Sequence, residues 1–162
     1  NIINHKIITG ISSTDNDAKV TLLGVKDRPG IAASIFKPLS QNSINVDMVV
    51  QNISSDGKKT DLTFTVNRSD YEHTLNVLNN NKDNLGFERI ASDPGVTKIS
   101  VVGVGMRSHS GVAQKMFNAL AERGINIQVI STSEIKVSVL ISEEYTELAL
   151  RALHSAYDLD AA

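Results

Sequence analysis

The chain contains no cysteine and no tryptophan. The first absence removes disulfides, thiolate metal ligands and cysteine nucleophiles, and with them a disulfide-stapled secreted domain. The second belongs to a wider scarcity, since aromatic residues make up 4% of the chain. Proteins that hold single strands stack bases on exposed rings, and few rings are available here. No charge of one sign dominates either. Lys and Arg number 16 against 18 Asp and Glu, a net charge of -2. That leaves no electrostatic footprint for nucleic acid or for an anionic membrane. No apolar run approaches the roughly 20 residues that cross a bilayer. The opening residues Asn1-Ile2-Ile3-Asn4-His5 have neither the basic nor the apolar segment of a signal peptide, and no Met. The expectation is a cytoplasmic protein that is processed or is a piece of something longer.

What is present is a soluble globular composition, 41% hydrophobic and 21% charged, over 162 residues. That length suits one medium domain or two small ones. An internal repeat decides for two. Lys19-Val20-Thr21-Leu22-Leu23-Gly24-Val25 matches Lys98-Ile99-Ser100-Val101-Val102-Gly103-Val104, about 80 residues later. Each run leads through a polar loop to Gly30 or Gly111, and the second loop is longer by 2 residues. Phe36 and Leu39 match Phe117 and Leu120, and both helices end before Ile-Asn-Val or Ile-Asn-Ile.

In the first copy Lys19–Val25 alternates and is β-branched, which predicts a strand. Ile31, Ile35, Phe36 and Leu39 recur at helical spacing, with Pro29 suited to the first turn. Val46–Ile53 and Thr60–Val66 predict two strands around the turn Ser54 to Lys59, with Leu62, Phe64 and Val66 on one face. Ser69 is placed as the cap of a helix carrying Tyr71, Leu75 and Leu78, and Phe87–Ala91 as a fourth strand. The order is β-α-β-β-α-β, a ferredoxin-like antiparallel sheet with helices on one face. The second copy predicts a strand over 98–104, a helix over 111–123, strands over 127–132 and 135–141, and a helix over 143–154. It has no room for a fourth strand, while Lys6–Ser12 stands unassigned ahead of the first copy. An open sheet edge is a liability. The N-terminal segment is therefore expected to complete the second sheet, giving units of 16–93 and of 94–162 with 1–15.

The loop between the first strand and first helix is the candidate site. Amides at a helix start suit a carboxylate, and Gly30 allows close approach. Asp27 could hold an ammonium, or simply cap the helix. Asn45 and Gln51 are placed on the neighbouring strand, where they could bond a small polar side chain. The second copy has Gly105 to Gly111 at that place and no acid. Gly103-Val104-Gly105 is a poor dinucleotide fingerprint, because its third glycine is Ser108 and the unit is not a parallel βαβ. The four histidines have no metal-ligand spacing, so no metal is expected. Met106 and Met116 read as core fillers. Ser131-Thr132-Ser133-Glu134 reads either as a turn or as an effector or interdomain contact.

Two such units with Asp27-Arg28-Pro29-Gly30-Ile31-Ala32 resemble tandem ACT domains, the amino-acid-sensing modules. The runs Asn45 to Ser54, Thr60 to Thr65 and Ile130 to Ile141 look like the C-terminal regulatory region of aspartate kinase, and the resemblance spans essentially the whole chain. It implies feedback inhibition by threonine, lysine or both. It implies effector contacts from Asp27, Gly30, Ile31, Ala32, Asn45, Val46, Gln51 and Thr63, with Asn126 and Ile127 of a second chain closing the pocket of a homodimer. Met106, Ser108, His109 and Val112 mark the counterpart site. The family's Lys-Phe-Gly-Gly kinase motif is absent, so no catalytic residue and no cofactor is assigned to this chain. ATP and Mg belong to the parent kinase, and the catalytic domain or subunit is the expected partner. The alternative is an ACT module of a different amino-acid enzyme. An RNA-binding domain conflicts with the charge and aromatic content, and a stand-alone enzyme with the lack of any acid/base or metal constellation.

Overall fold

A computed structural model of the protein describes residues 8–103 and 111–158. The elements in the first repeat are β1 (Ile8–Lys26), α1 (Ile31–Gln41), β2 (Val46–Ile53), β3 (Lys59–Asn67), α2 (Tyr71–Asn80), α3 (Lys82–Leu85) and β4 (Arg89–Gly103). The second repeat continues with α4 (Gly111–Glu122), β5 (Val129–Thr132), β6 (Lys136–Ser142) and α5 (Thr146–Ala156). The chain divides into two units, one from Asn16 to Gly95 and one that joins the chain up to Asp15 with the chain from Val96 onward.

In the first unit the strand order is β2-β3-β1-β4. β3 is antiparallel to both β1 and β2. In the second unit the order is β5-β6-β4-β1, and β6 is antiparallel to β4 and β5. Each unit therefore has the ferredoxin-like order, and both are α+β. The N-terminal strand serves as the fourth strand of the second unit, as the missing-strand argument requires. Thr9 Oγ1 donates to the Val102 carbonyl there at 3.2 Å.

The alternation foreseen in Leu62, Phe64 and Val66 is the inward face of β3. It packs with Val20, Leu22, Ile35, Leu39 and Leu78, all fully buried. Phe36 meets Phe64 edge-to-face, with ring centres 5.4 Å apart. The second core gathers Ile99, Val101, Met116, Leu120, Val139, Ile141 and Leu153. Ile8 and Ile11 of β1 pack against it. Burying each such side chain contributes about 1.5–3 kcal/mol, so two small aliphatic cores suffice with few rings.

Several local expectations shift. β1 and β4 are far longer than the predicted Lys19–Val25 and Phe87–Ala91 strands. Gly10 and Gly24 do not end β1, because sheet pairing outweighs local preference. Asn67, not Ser69, is the capping residue. Its Oδ1 accepts from Ser69 N at 2.9 Å and starts a 3-10 turn that leads into α2. Pro29 precedes the helix rather than opening it, because α1 begins at Ile31 after Gly30. Val104, predicted to end a strand, lies outside the described residues. Among the described residues no helix is long and apolar enough to cross a membrane.

Candidate functional site

The loop Lys26–Gly30 links the end of β1 to α1. Gly30 occupies the cap position with φ 83° and ψ 0°, a left-handed conformation suited to glycine, and no side chain caps this helix. Ile31 N donates to the Arg28 carbonyl at 3.2 Å and Ser34 N to the Gly30 carbonyl at 3.0 Å, so the amides of Ala32 and Ala33 are the ones that point out of the helix start towards an outside acceptor. A Cβ built at Gly30 would meet no atom within 4 Å, so the approach is open. Ser34 Oγ donates back to the Gly30 carbonyl at 3.1 Å. Asp27 is half-buried beside this helix start. Its amide donates to the Lys58 carbonyl at 3.0 Å, which ties the loop to the β2–β3 turn. Gly30 holds the cap position, and among the described residues no amide of α1 bonds the Asp27 carboxylate, so Asp27 does not cap the helix. Its carboxylate is not consumed by the helix.

Ile31 is buried and Ala32 exposed, so the first turn anchors through one residue and presents the next. Asn45 is exposed one residue ahead of β2, not within it. Val46 and Gln51 lie opposite Val66 and Leu62, both inward residues of β3. Directly opposed residues share a face, so Val46 and Gln51 stand on the helix-bearing side with α1. Thr63 opposes Val50 and Thr21, and its Oγ1 bonds Thr21 Oγ1 at 2.9 Å. It faces the other side of the sheet. The register therefore puts Val46 and Gln51 on the face that carries α1 and Thr63 on the opposite face.

In the second unit Asn126 is exposed and Ile127 half-buried, on the segment ahead of β5. Val112 is half-buried on α4, and Tyr157 Oη donates to its carbonyl at 2.5 Å. Met106, Ser108 and His109 lie outside the described residues. An open groove of about 480 Å³ runs along Gln114, Lys115, Asn118 and Glu122 of α4. It contains none of the candidate residues. No group of His, Asp or Glu that could hold a metal occurs among the described residues.

The residues missed from sequence gather at Gly24, two residues before the loop begins. Asp61 Oδ1 accepts from Gly24 N at 3.0 Å. Lys59 Nζ pairs with Glu88, whose side chain crosses Gly24. Each is shifted toward its charged form, first by that hydrogen bond and then by the attraction of the opposite charge. Both are exposed, so the pair contributes little to stability. The available signal was Gly24 itself, because a glycine inside an alternating strand marks a bulge.

The ACT domain family model matches residues 20–81 and 99–157. The aspartate kinase of Pseudomonas putida is 54% identical over 96% of the chain, which spans 38% of that protein's length. A crystal structure of aspartokinase alpha and beta subunits is 51% identical, with a TM-score of 0.86, covering 93% of this chain and 99% of that one. The ligand-free regulatory subunit of aspartate kinase from Thermus thermophilus is 39% identical with a TM-score of 0.86, covering 93% and 99%.

The chain belongs to the ACT family, in the branch that regulates aspartate kinase.

In sequence the two ACT repeats carry their loops at equivalent places, and only the first has an acid there. The chain spans little more than a third of the curated aspartate kinases it matches.

Proposed function

We propose that the first unit binds an effector amino acid and thereby inhibits the catalytic part of an aspartate kinase. The observation that carries this is the helix start at Gly30, which has no side-chain cap, three residues after Asp27, whose carboxylate bonds no α1 amide among the described residues. The effector's carboxylate meets the amides of Ala32 and Ala33 in the first turn of α1, its ammonium meets Asp27, and its side chain reaches Gln51. Gln51 and the nearby Asn45 suit a small hydroxylated side chain, which favours threonine over lysine. Asn126 and Ile127 of a second copy close the pocket. Thr63 acts at most through the sheet. The second unit's loop, with Met106, Ser108, His109 and Val112, lacks the ammonium partner and is left with a weaker site or none.

The chain works as a homodimer and docks on the kinase's catalytic domain or subunit, where ATP and Mg are used. Val49 and Ile53 on the edge strand β2 are 51% and 55% exposed, which supports pairing through that edge. Effector binding inhibits by favouring one arrangement of the dimer, a coupling of typically about 1–3 kcal/mol. Calorimetric titration with threonine, lysine, methionine and the first two together tests the reading. Saturable binding of threonine, reduced by prior lysine if the two share the site, is expected. Absence of heat and of any spectral change with all of them would refute it.

A further inference from the structure

The two units differ in their strand registers. In the second, the paired residues Val96–Val102 of β4 and Val129–Thr132 of β5 meet β6 without a shift. In the first, β1 sets Leu23 and Gly24 against Asp61, and β2 sets Met48 and Val49 against Phe64. A bulge adds one residue and turns every later side chain to the other face. Val46 and Gln51 are 5 residues apart and would face opposite ways in a regular strand. The β2 bulge puts both on the helix-bearing face. The β1 bulge does the same for Leu22 and Val25, and so fixes where the chain leaves the strand for the loop.

Both bulges use left-handed backbone, with φ 69° at Gly24 and 45° at Met48. For methionine that conformation is costly and needs to be held in place. Each bulge is pinned by a side chain of β3. Asp61 Oδ1 accepts from Gly24 N at 3.0 Å. Thr65 Oγ1, on a fully buried residue, donates to the Asp47 carbonyl at 3.0 Å, one residue before Met48.

We propose that Asp61 and Thr65 are positioning residues of the effector site, Asp61 for the Lys26–Gly30 loop and Thr65 for Gln51. The proposal rests on the amino-acid-binding reading above and assigns the two residues separate tasks. The loop meets the carboxylate and ammonium that every α-amino acid carries. Gln51 meets the side chain that distinguishes one from another. Loss of the Asp61 bond weakens all amino acids alike, whereas loss of the Thr65 bond changes selectivity.

The test combines calorimetry with threonine and lysine and ligand-free amide spectra, on the unaltered chain and on Asp61→Ala, Asp61→Asn, Thr65→Val and Thr65→Ser. Asp61→Ala is expected to weaken both ligands about tenfold at constant ratio, and Thr65→Val to change the ratio about tenfold. Asn and Ser retain an oxygen at the same place and should restore most of each loss. Without ligand, the Gly24 and Gly30 amides should move in Asp61→Ala, and the Gln51 amide in Thr65→Val. If Asp61→Ala does not fold, Gly24→Ala addresses the same bulge, since its Cβ would fall 2.4 Å from the Glu88 side chain. Unmoved amides, or a Thr65→Val selectivity equal to that of the unaltered chain, would overturn the proposal. If the unaltered chain binds neither amino acid, the effector reading falls instead, and the ligand-free amides still decide whether Asp61 and Thr65 hold the bulges.

Discussion

Asp27 is a half-buried carboxylate beside a helix whose cap is supplied by glycine backbone. A capping acid would stabilise the free protein, and its removal would lower the melting temperature. An acid reserved for a ligand's ammonium does the opposite: its loss spares the fold and costs binding. Asp27→Ala is expected to weaken effector binding by roughly 2–5 kcal/mol, where the ammonium is desolvated, with little change in thermal stability. Equal calorimetric affinities would remove Asp27 from the site. Tyr157 gives a second residue-scale test. Partial burial raises its hydroxyl from 10.0 to about 12. The folded state then holds that proton more tightly than the unfolded state, so this stability is fully present below pH 10 and is lost as pH rises towards 12. Tyr157→Phe should flatten the alkaline decline over that window in pH-dependent melts, while also losing the bond to the Val112 carbonyl.

Among the elements, β2 shows what a sequence pattern can and cannot convey. Its limits were legible, because Val46–Ile53 is β-branched and bounded by turn residues. Its faces were not. The pattern contains no glycine at the bulge, and Met48 takes a left-handed φ of 45° next to Asp47, whose carbonyl accepts from Thr65 of β3. Thr63 was grouped with Gln51 through the family resemblance, and only the register of two strands shows that they stand on opposite faces. Conversely, the β3 alternation and the α1 stripe of Ile31, Ile35 and Leu39 were fully readable, because burial on one face imposes a period. The edge of β2 carries its own prediction. If the proposed dimer pairs through this edge, a lysine in place of Val49 puts like charges across it and leaves the monomer's core untouched. Sedimentation should show a dimer weakened by about tenfold or more, and an unchanged distribution would rule that edge out as the contact.

For the whole molecule, the repeat was legible and so was the need for a borrowed strand, because strand counting exposes a sheet with an unfilled place. The lengths of β1 and β4 were not, since each serves both units and no local pattern announces a strand of 19 or 15 residues. Removing residues 1–12 takes Ile8 and Ile11 from the second core. That unit should unfold at a lower temperature, while the first unit keeps all four strands of its sheet. Without tryptophan, the tyrosines report directly. In a Tyr71→Phe background Tyr145 and Tyr157 read the second unit, and an unaltered fluorescence melt in the truncated chain would sink the idea.

Both unit boundaries, near Asp15 and near Gly95, fall inside strands rather than in linkers. The two repeats are therefore unequal as transplantable parts. A graft of residues 16–95 transfers a finished four-stranded sheet to a new host. A graft that begins at Val96 transfers three strands and requires its recipient to supply the fourth. The second half on its own should act as a receptor for a peptide: it is expected to capture a synthetic peptide of the first fifteen residues, and that capture would make the protein splittable and reassemblable at will.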